Sequence, residues 1–245
     1  MRYLVLSDLH ANLEALDASM EAAAGTYDRI LVLGDLVGYG ADPNAVIERV
    51  RAMPDAVVIR GNHDKVGAGI ADMDTFNHIA QQAIIWTAVT LTPGNRDWLA
   101  ELPPGPVEVD PLAEICHGAP FDEDVYLIDG QDIRRALETS THTLCLFGHT
   151  HVPGVFRREG DEICRMGPQR DGFHLRLEEG ASFLVNVGAV GQPRDGDWRA
   201  AFGVLDTETR ALAGRRVAYD VKSAQKKITA AGLPEVLAQR LSIGR

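Results

Sequence analysis

Five blocks of metal-type side chains are spread along the sequence: Asp8-x-His10, Gly34-Asp35, Gly61-Asn62-His63-Asp64, His117 and Gly148-His149-x-His151. Imidazole and carboxylate together suit Mn, Fe, Zn, Ni and Co, and the lack of cysteine ligands argues against a structural zinc knot. Asp8, His10, Asp35, Asn62, His117, His149 and His151 are too many ligands for one tetrahedral ion. They suffice for two ions if one carboxylate bridges, and two ions roughly 3.5–4 Å apart suit in-line attack at phosphorus. Five of the 8 histidines fall in these blocks; His78, His142 and His174 lie elsewhere. Singly, each block has a plain structural reading: an Asx turn at Asp8, a capped tight turn at Asp35, a turn amide at Asn62, rings sharing a strand face at His149 and His151. What sets them apart is their common place, each at the end of an apolar run.

Those runs are the elements that must position the chemistry. Residues 3–6, 30–33 and 56–59 read as buried strands. Between them lie a helix capped by Asn12, with Leu13, Leu16 and Met20 on one face and Gly25 as its stop, and a helix opened by Asp42-Pro43, with Val46, Ile47 and Val50 on one face. Strand, helix, strand, helix, strand predicts parallel pairing with right-handed crossovers, which gathers the strand ends on one edge. The rhythm then changes. Residues 65–74 read as a loop, 77–91 and 95–102 as helices; this 65–105 region is either a helical cap beside the site or a simple crossover. Strands at 112–116 and 143–147 flank a helix at 131–137. Short antiparallel strands are expected at 155–156, 162–164, 173–177, 182–187, 200–206 and 215–219, then helices at 224–230 and 234–241.

Composition bounds the rest. The chain has 245 residues, 45% hydrophobic, ample for one domain spanning 1–245. A net charge of -11 argues against extended, charge-driven nucleic-acid binding, although a single nucleotide still fits a local site. The 3 cysteines, Cys116, Cys145 and Cys164, form no CxxC pair and read as buried structural thiols of a reducing compartment. No apolar run approaches the ~20 residues a membrane span needs, and no secretory h-region is visible. A cytoplasmic location is the expectation.

The five blocks, in this order, resemble the calcineurin-like metallophosphoesterases, whose pattern is Asp-x-His, Gly-Asp, Gly-Asn-His-Asp/Glu, His and Gly-His-x-His. Residues 7–16, 34–40 and 186–194 further resemble the small bacterial and archaeal phosphodiesterase-like branch, so the likeness covers nearly the whole chain. It implies an α/β fold, a two-sheet α/β/β/α sandwich with a dimetal site at one edge. It implies that Asp8, His10, Asp35 and His151 hold one divalent ion and that Asp35, Asn62, His117 and His149 hold the other. Mn is favoured, with Fe, Zn, Ni, Co or Mg as alternatives. It implies that His63 binds no metal but protonates the leaving oxygen, with Asp64 orienting and charging its ring. Elementary chemistry agrees: two ions would supply hydroxide near neutral pH, and a leaving alkoxide needs a proton that an imidazole can give. The chain departs from the branch at Ala11, where Gly is frequent, at Ala119, where Ser is, and at Val187-Gly188-Ala189, where Pro-Gly-Ser is. Asn186, Gln192 and Arg194 fall near the site mouth by resemblance or else form a structural turn; Asn12 is either a substrate contact or only a helix cap.

The implied function is hydrolysis of a small phosphodiester or phosphomonoester, a nucleotide among the candidates. The alternatives are a protein phosphatase or dinucleoside polyphosphate hydrolase of the same superfamily, and a metal-binding scaffold without catalysis. His63 separates enzyme from scaffold, because a scaffold has no need of it.

Overall fold

The apolar runs do form strands, but they divide between two sheets in the computed structural model, which describes residues 1–166 and 171–245. In chain order the elements are β1 (Arg2–Leu6), α1 (Leu13–Ala23), β2 (Arg29–Val32), α2 (Pro43–Arg51), β3 (Val57–Val58), α3 (Asn62–Ala68), α4 (His78–Thr90), α5 (Pro93–Ala100), β4 (Val107–Asp110), β5 (Ala113–Ile115), α6 (Gly130–Thr139), β6 (Leu144–Phe147), β7 (Gly154–Glu159), β8 (Glu162–Met166), β9 (Phe173–Arg176), β10 (Ser182–Asn186), β11 (Ala200–Asp206), β12 (Ala211–Val217), α7 (Val221–Ala230) and α8 (Glu235–Leu241). One sheet runs β3-β2-β1-β11-β12-β9, the other β4-β5-β6-β10-β7-β8. Each has a parallel half: β1, β2 and β3 in the first, β5, β6 and β10 in the second. The expected single edge is therefore two edges, one per sheet, brought face to face.

Strand alternation explains the layering. In β1, Tyr3 and Val5 point between the sheets and join Leu31, Leu144, Leu146, Phe183 and Val185 in one core. Leu4 and Leu6 point the other way, into a second core with Leu16, Val46, Ile47 and the C-terminal Ile228 and Leu237. On the far face of the second sheet, Cys145, Phe147 and Leu184 meet Ile133, Ala136 and Leu137 of α6. The order is helices, sheet, sheet, helix, the α/β/β/α sandwich. Each fully buried Leu, Val or Phe contributes roughly 1.5–3 kcal/mol, and the parallel strands that carry the site loops are rich in such residues.

Local chemistry sets the entries to the helices. Asn12 Oδ1 accepts from Ala15 N at 3.1 Å, capping α1. Pro43 opens α2, but Asp42 makes no side-chain cap; its carboxylate takes Lys227 Nζ at 2.7 Å instead. Four expectations need correction. Residues 65–68 are the end of α3 rather than loop, because the polar motif at 61–64 starts a helix. The 182–187 run is parallel to β6 as well as antiparallel to β7. The last strand lies at Ala211–Val217, earlier than its apolar end suggested, and β4 was hidden by its acidic alternation. Cys164 is exposed on β8, so only Cys116 and Cys145 are buried thiols. Among the described residues, no helix is long and apolar enough to cross a membrane.

Candidate metal centre

The loops after β1, β2, β3, β5 and β6 bring the five blocks together. Asp8, His10, Asp35 and His151 each place a ligand atom within 4.8 Å of the others, and so do Asp35, His117 and His149. Asp35 belongs to both sets, and all six residues are buried. Its Oδ2 lies 3.5 Å from His10 Nε2 and 3.4 Å from His117 Nε2. Asn62 joins the second set, its Oδ1 3.2 Å from His117 Nε2. Of the other histidines, His78 and His174 are exposed, and His142 lies 3.2 Å from Glu108 and from Glu114, away from this cluster.

The backbone is bent to make this convergence. Asp8, His10, Asp35, His149 and His151 all have positive φ, between 45° and 63°. A non-glycine residue there costs on the order of 1–2 kcal/mol, so five of the seven donors are held in strained positions. Ala11, where the related branch often has glycine, is also there at φ 51°. Two glycines admit the crowding. A Cβ on Gly61 would strike Asp35 Oδ1, and a Cβ on Gly38, already at φ 86°, would strike His63 Nδ1.

Ring tautomers divide the histidines by role. His10 Nδ1 lies 3.0 Å from Val37 O, His117 Nδ1 2.7 Å from Leu33 O, and His151 Nδ1 2.6 Å from Gln192 O. His149 uses its other nitrogen, Nε2, 3.1 Å from Asp124 O. A carbonyl only accepts, so each of these nitrogens carries the proton; on His10, His149 and His151, whose rings stay neutral, the opposite nitrogen is a lone pair. This is the support that metal-binding imidazoles receive. His10 Nε2 and His151 Nε2 then face each other as lone pairs at 3.0 Å. Two such pairs repel unless a cation lies between them, and the donors therefore fit a bound metal. His63 has no carbonyl partner; its Nδ1 is buried without any hydrogen bond.

Charge follows the same geometry. Burial drives the pKa of His10 and His151 well below the ordinary value, and burial with the neighbouring His117 charge takes His149 to about 3. Burial also opposes charge on His117, but the Asp35 carboxylate outweighs it and holds that pKa near 10. Burial opposes the Asp35 anion too, yet His117, His63 and His10 keep its pKa well below the usual range. A cation and this shared carboxylate thus belong together.

Asp64 departs from expectation. Its Oδ1 accepts from Leu36 N at 2.8 Å and Val37 N at 3.2 Å, and its Oδ2 from Gly61 N at 2.9 Å. Both oxygens are spent tying the β2 loop to the start of α3, not on the His63 ring. His63 is fixed from elsewhere: its N–H donates to Asp35 Oδ1 at 2.9 Å, and its ring lies 4.5 Å from both Tyr39 and Phe76. Burial, opposed by Asp35 and reinforced by Arg194, lowers its pKa to about 4. Asn12, besides capping α1, donates to Gly191 O at 2.9 Å, tying the helix start to the loop after β10. Asn186 donates to Gly148 O at 2.8 Å and to Thr150 Oγ1 at 3.0 Å, pinning the His149 loop. Arg194 reaches Tyr39 OH at 3.3 Å and Gln192 Oε1 at 3.1 Å.

Beside the cluster opens a cavity of about 310 Å³, lined by Asn62, His63 and His149 together with Tyr39, Phe76 and Tyr126. Tyr126 stacks on His149 at 3.7 Å. These three aromatics were missed by sequence reasoning; only Tyr39, between two glycines, had any local signal. Residues 71, 72, 75–77 and 80 form one wall, so part of the 65–105 region faces the site.

An α/β/β/α sandwich with two acid–histidine donor sets sharing one carboxylate defines a metallophosphoesterase architecture. Residues 1–153 match the calcineurin-like phosphoesterase family, and the chain belongs to it. It is 34% identical over 244 residues to an uncharacterized protein of Methanocaldococcus jannaschii, covering 98% of this chain and 97% of that one. A metallophosphoesterase from Sphaerobacter thermophilus has a similar structure, with TM-score 0.87 and 36% identity, covering 100% of this chain and 99% of that one. A hypothetical protein from Pyrococcus horikoshii OT3 shares the fold, with TM-score 0.76 and 20% identity over 100% and 98% of the two chains.

Proposed function

We propose that the protein hydrolyses a small phosphodiester or phosphomonoester, nucleotides included, in the cavity beside the two donor sets. The observation that carries this reading is the division among the buried histidines. Four have one nitrogen on a carbonyl and the other turned to the donor cluster; His63 has neither arrangement and lines the cavity. A structural metal site needs the four and has no use for the fifth.

Asp8, His10, Asp35 and His151 would hold one divalent ion, and Asp35, Asn62, His117 and His149 the other. Nitrogen and oxygen donors of this kind suit Mn, with Fe, Zn, Ni, Co or Mg also admitted by the donor set. Two ions there would supply Lewis-acid chemistry, acidifying a water as nucleophile and neutralising phosphoryl oxygens. The chain's own residues do the rest. Nδ1 of His63 sits against Gly38, leaving Nε2 as the nitrogen able to meet the leaving oxygen. A bound phosphate anion favours the imidazolium, which offsets the burial and Arg194 that hold the free ring neutral. Protonation with substrate binding therefore delivers the acid where it is used. Asp64 acts through the main chain, holding the β2 loop and α3 so that Asp35 and His63 keep their spacing. Phe76 and Tyr126 narrow the cavity, with residues 71–80 as a cap, and so favour a small ester over a folded protein substrate.

The test is a metal-by-substrate panel on metal-stripped protein, with cyclic nucleotides, dinucleoside polyphosphates, a phosphoprotein and an aryl diester. Activity with Mn on a small ester is expected, and His63→Ala should keep its metal while losing at least ~10²-fold in turnover. Wild-type inactivity across the whole panel, or near-normal turnover by His63→Ala, would refute the assignment.

A further inference from the structure

Some arginines of this chain are held in ion pairs, and two half-buried ones near the site are not. Arg60 is paired with Glu123, Arg157 with Glu178, and Arg216 with Asp195. Arg194 and Arg240 form no ion pair among the described residues, although the chain carries 35 acidic side chains. Both are partly buried, and the Nε of each is buried with no hydrogen-bond partner. They lie against the same ring: Arg194 Cζ is 5.6 Å and Arg240 Cζ 6.0 Å from the centre of Tyr39. That ring in turn lies 4.7 Å from His10 and 4.5 Å from His63. Burial and the Arg194 charge push the Arg240 pKa down, as expected of like charges held close.

Two guanidiniums against one tyrosine ring, neither in an ion pair among the described residues, hold two positive charges close together. Stacking on Tyr39 accounts for each cation singly but not for keeping both beside a cluster that itself attracts cations. A tetrahedral dianion balances them, and the guanidinium fork matches phosphate oxygens two at a time. The two come from distant parts of the chain, Arg194 from the loop after β10 and Arg240 from α8, so the pairing is made by the fold and not by local sequence.

We propose that Arg194 and Arg240 form a second phosphate subsite, so that the preferred substrate is a phosphoester carrying another, non-scissile phosphate. This rests on the phosphoesterase reading above. The scissile phosphoryl group would lie over the shared Asp35 cluster, and the second group would sit beside Tyr39 against the two guanidiniums.

Thymidine 5′-(p-nitrophenyl phosphate) and its 3′-phosphate derivative differ only in that second group, and both release a chromophore. With Mn-loaded protein, the 3′-phosphorylated ester should show the higher kcat/KM, through KM. In Arg240→Gln the ratio of the two kcat/KM values should fall by at least ~10-fold, as for loss of a charge-assisted contact. A general structural defect lowers both values and leaves the ratio alone. Calorimetry with thymidine 3′,5′-bisphosphate on metal-stripped protein gives a readout free of catalysis: binding should weaken by a similar factor in the variant. An unchanged ratio together with unchanged bisphosphate binding overturns the subsite. Hydrolysis of neither ester by wild type, together with inactivity across the substrate panel above, overturns the phosphoesterase reading instead, and the calorimetry still decides the subsite.

Discussion

Replacing Asp64 by Asn separates two roles for this carboxylate. It accepts three main-chain N–H groups, from Leu36, Val37 and Gly61, all buried. An asparagine has one accepting oxygen. It can serve the Leu36–Val37 pair or Gly61, and its NH2 then points at a donor. Stranding a buried N–H costs about 1–3 kcal/mol, and above pH 7, where the raised Asp64 pKa leaves the group ionised, losing the carboxylate charge weakens the bonds that remain. Asp64→Asn should therefore destabilise the protein by about 2–4 kcal/mol. For a domain of this size that lowers Tm by about 2–4 °C for each kcal/mol. Urea unfolding of metal-stripped protein and a thermal melt would measure it. Turnover should fall as well, since Asp35 and His63 hang on the two segments that Asp64 joins, while the pH profile keeps its midpoint. The competing role, charging the His63 ring, gives the opposite signature: a wild-type melt and a shifted pH–rate limb. That outcome would falsify the structural account of Asp64.

Asp35→Asn should impair both metal positions together, because Asp35 alone belongs to both donor sets; two ions at full occupancy by metal analysis would show that it does not bridge. Gly38→Ala forces a Cβ onto the His63 ring at φ 86°, so kcat should drop at least ~10-fold with metal content retained, and unchanged kcat would mean the ring position is not critical. The metal-stripped protein should lose stability on acidification. His10, His63, His149 and His151 all have folded pKa values below the unfolded 6.5, so from about pH 6.5 down to 4 the unfolded chain takes up their protons first. Asp8 and Asp64, raised to about 6 and about 7, oppose this by binding protons in the folded state. Four imidazoles against two carboxyls leave about two protons in favour of unfolding, or a slope of about 2–3 kcal/mol per pH unit. His117 has the opposite sign: its stabilisation is lost as pH rises through about 10. A flat urea midpoint between pH 6.5 and 4 would contradict this proton count.

The donor residues were legible in the sequence because each ends an apolar run, and a run that must be buried fixes where its polar end emerges. Two sheets instead of one could not be read from those runs. The inward and outward faces of β1 and β6 are both apolar, so periodicity carries no sign of which neighbour each face meets. The left-handed backbone at His149 and His151 was likewise hidden. Alternation on a strand puts both rings on one face for an ordinary reason, whereas here neither residue is in the strand. Asp64 was misplaced for a related reason: adjacency in sequence to His63 suggested contact, but consecutive residues at a helix start point different ways, and the nearest unsatisfied N–H groups belonged to the β2 loop. Arg240 gave no signal at all, since its significance comes only from lying against the same Tyr39 ring as a residue in another loop.

The strain and the charge at this centre have a common logic. Five donors sit in left-handed conformations, two imidazole lone pairs meet at 3.0 Å, and His63 Nδ1 is buried without a partner. Each is unfavourable alone, by amounts of order 1–3 kcal/mol. The first two are explained by cations that gather the donors, because ligand binding to the folded state stabilises it and can hold a geometry the chain would otherwise relax. The third is not, since His63 is turned to the cavity and no cation between the donors would satisfy its Nδ1. On the function proposed above, an anion meets the Nε2 of a ring kept neutral and packed between Tyr39 and Phe76, while Nδ1 stays against Gly38. The centre thus has two tiers: buried donors on a strained backbone that fit divalent cations, and a histidine outside the donor sets that we propose acts on substrate.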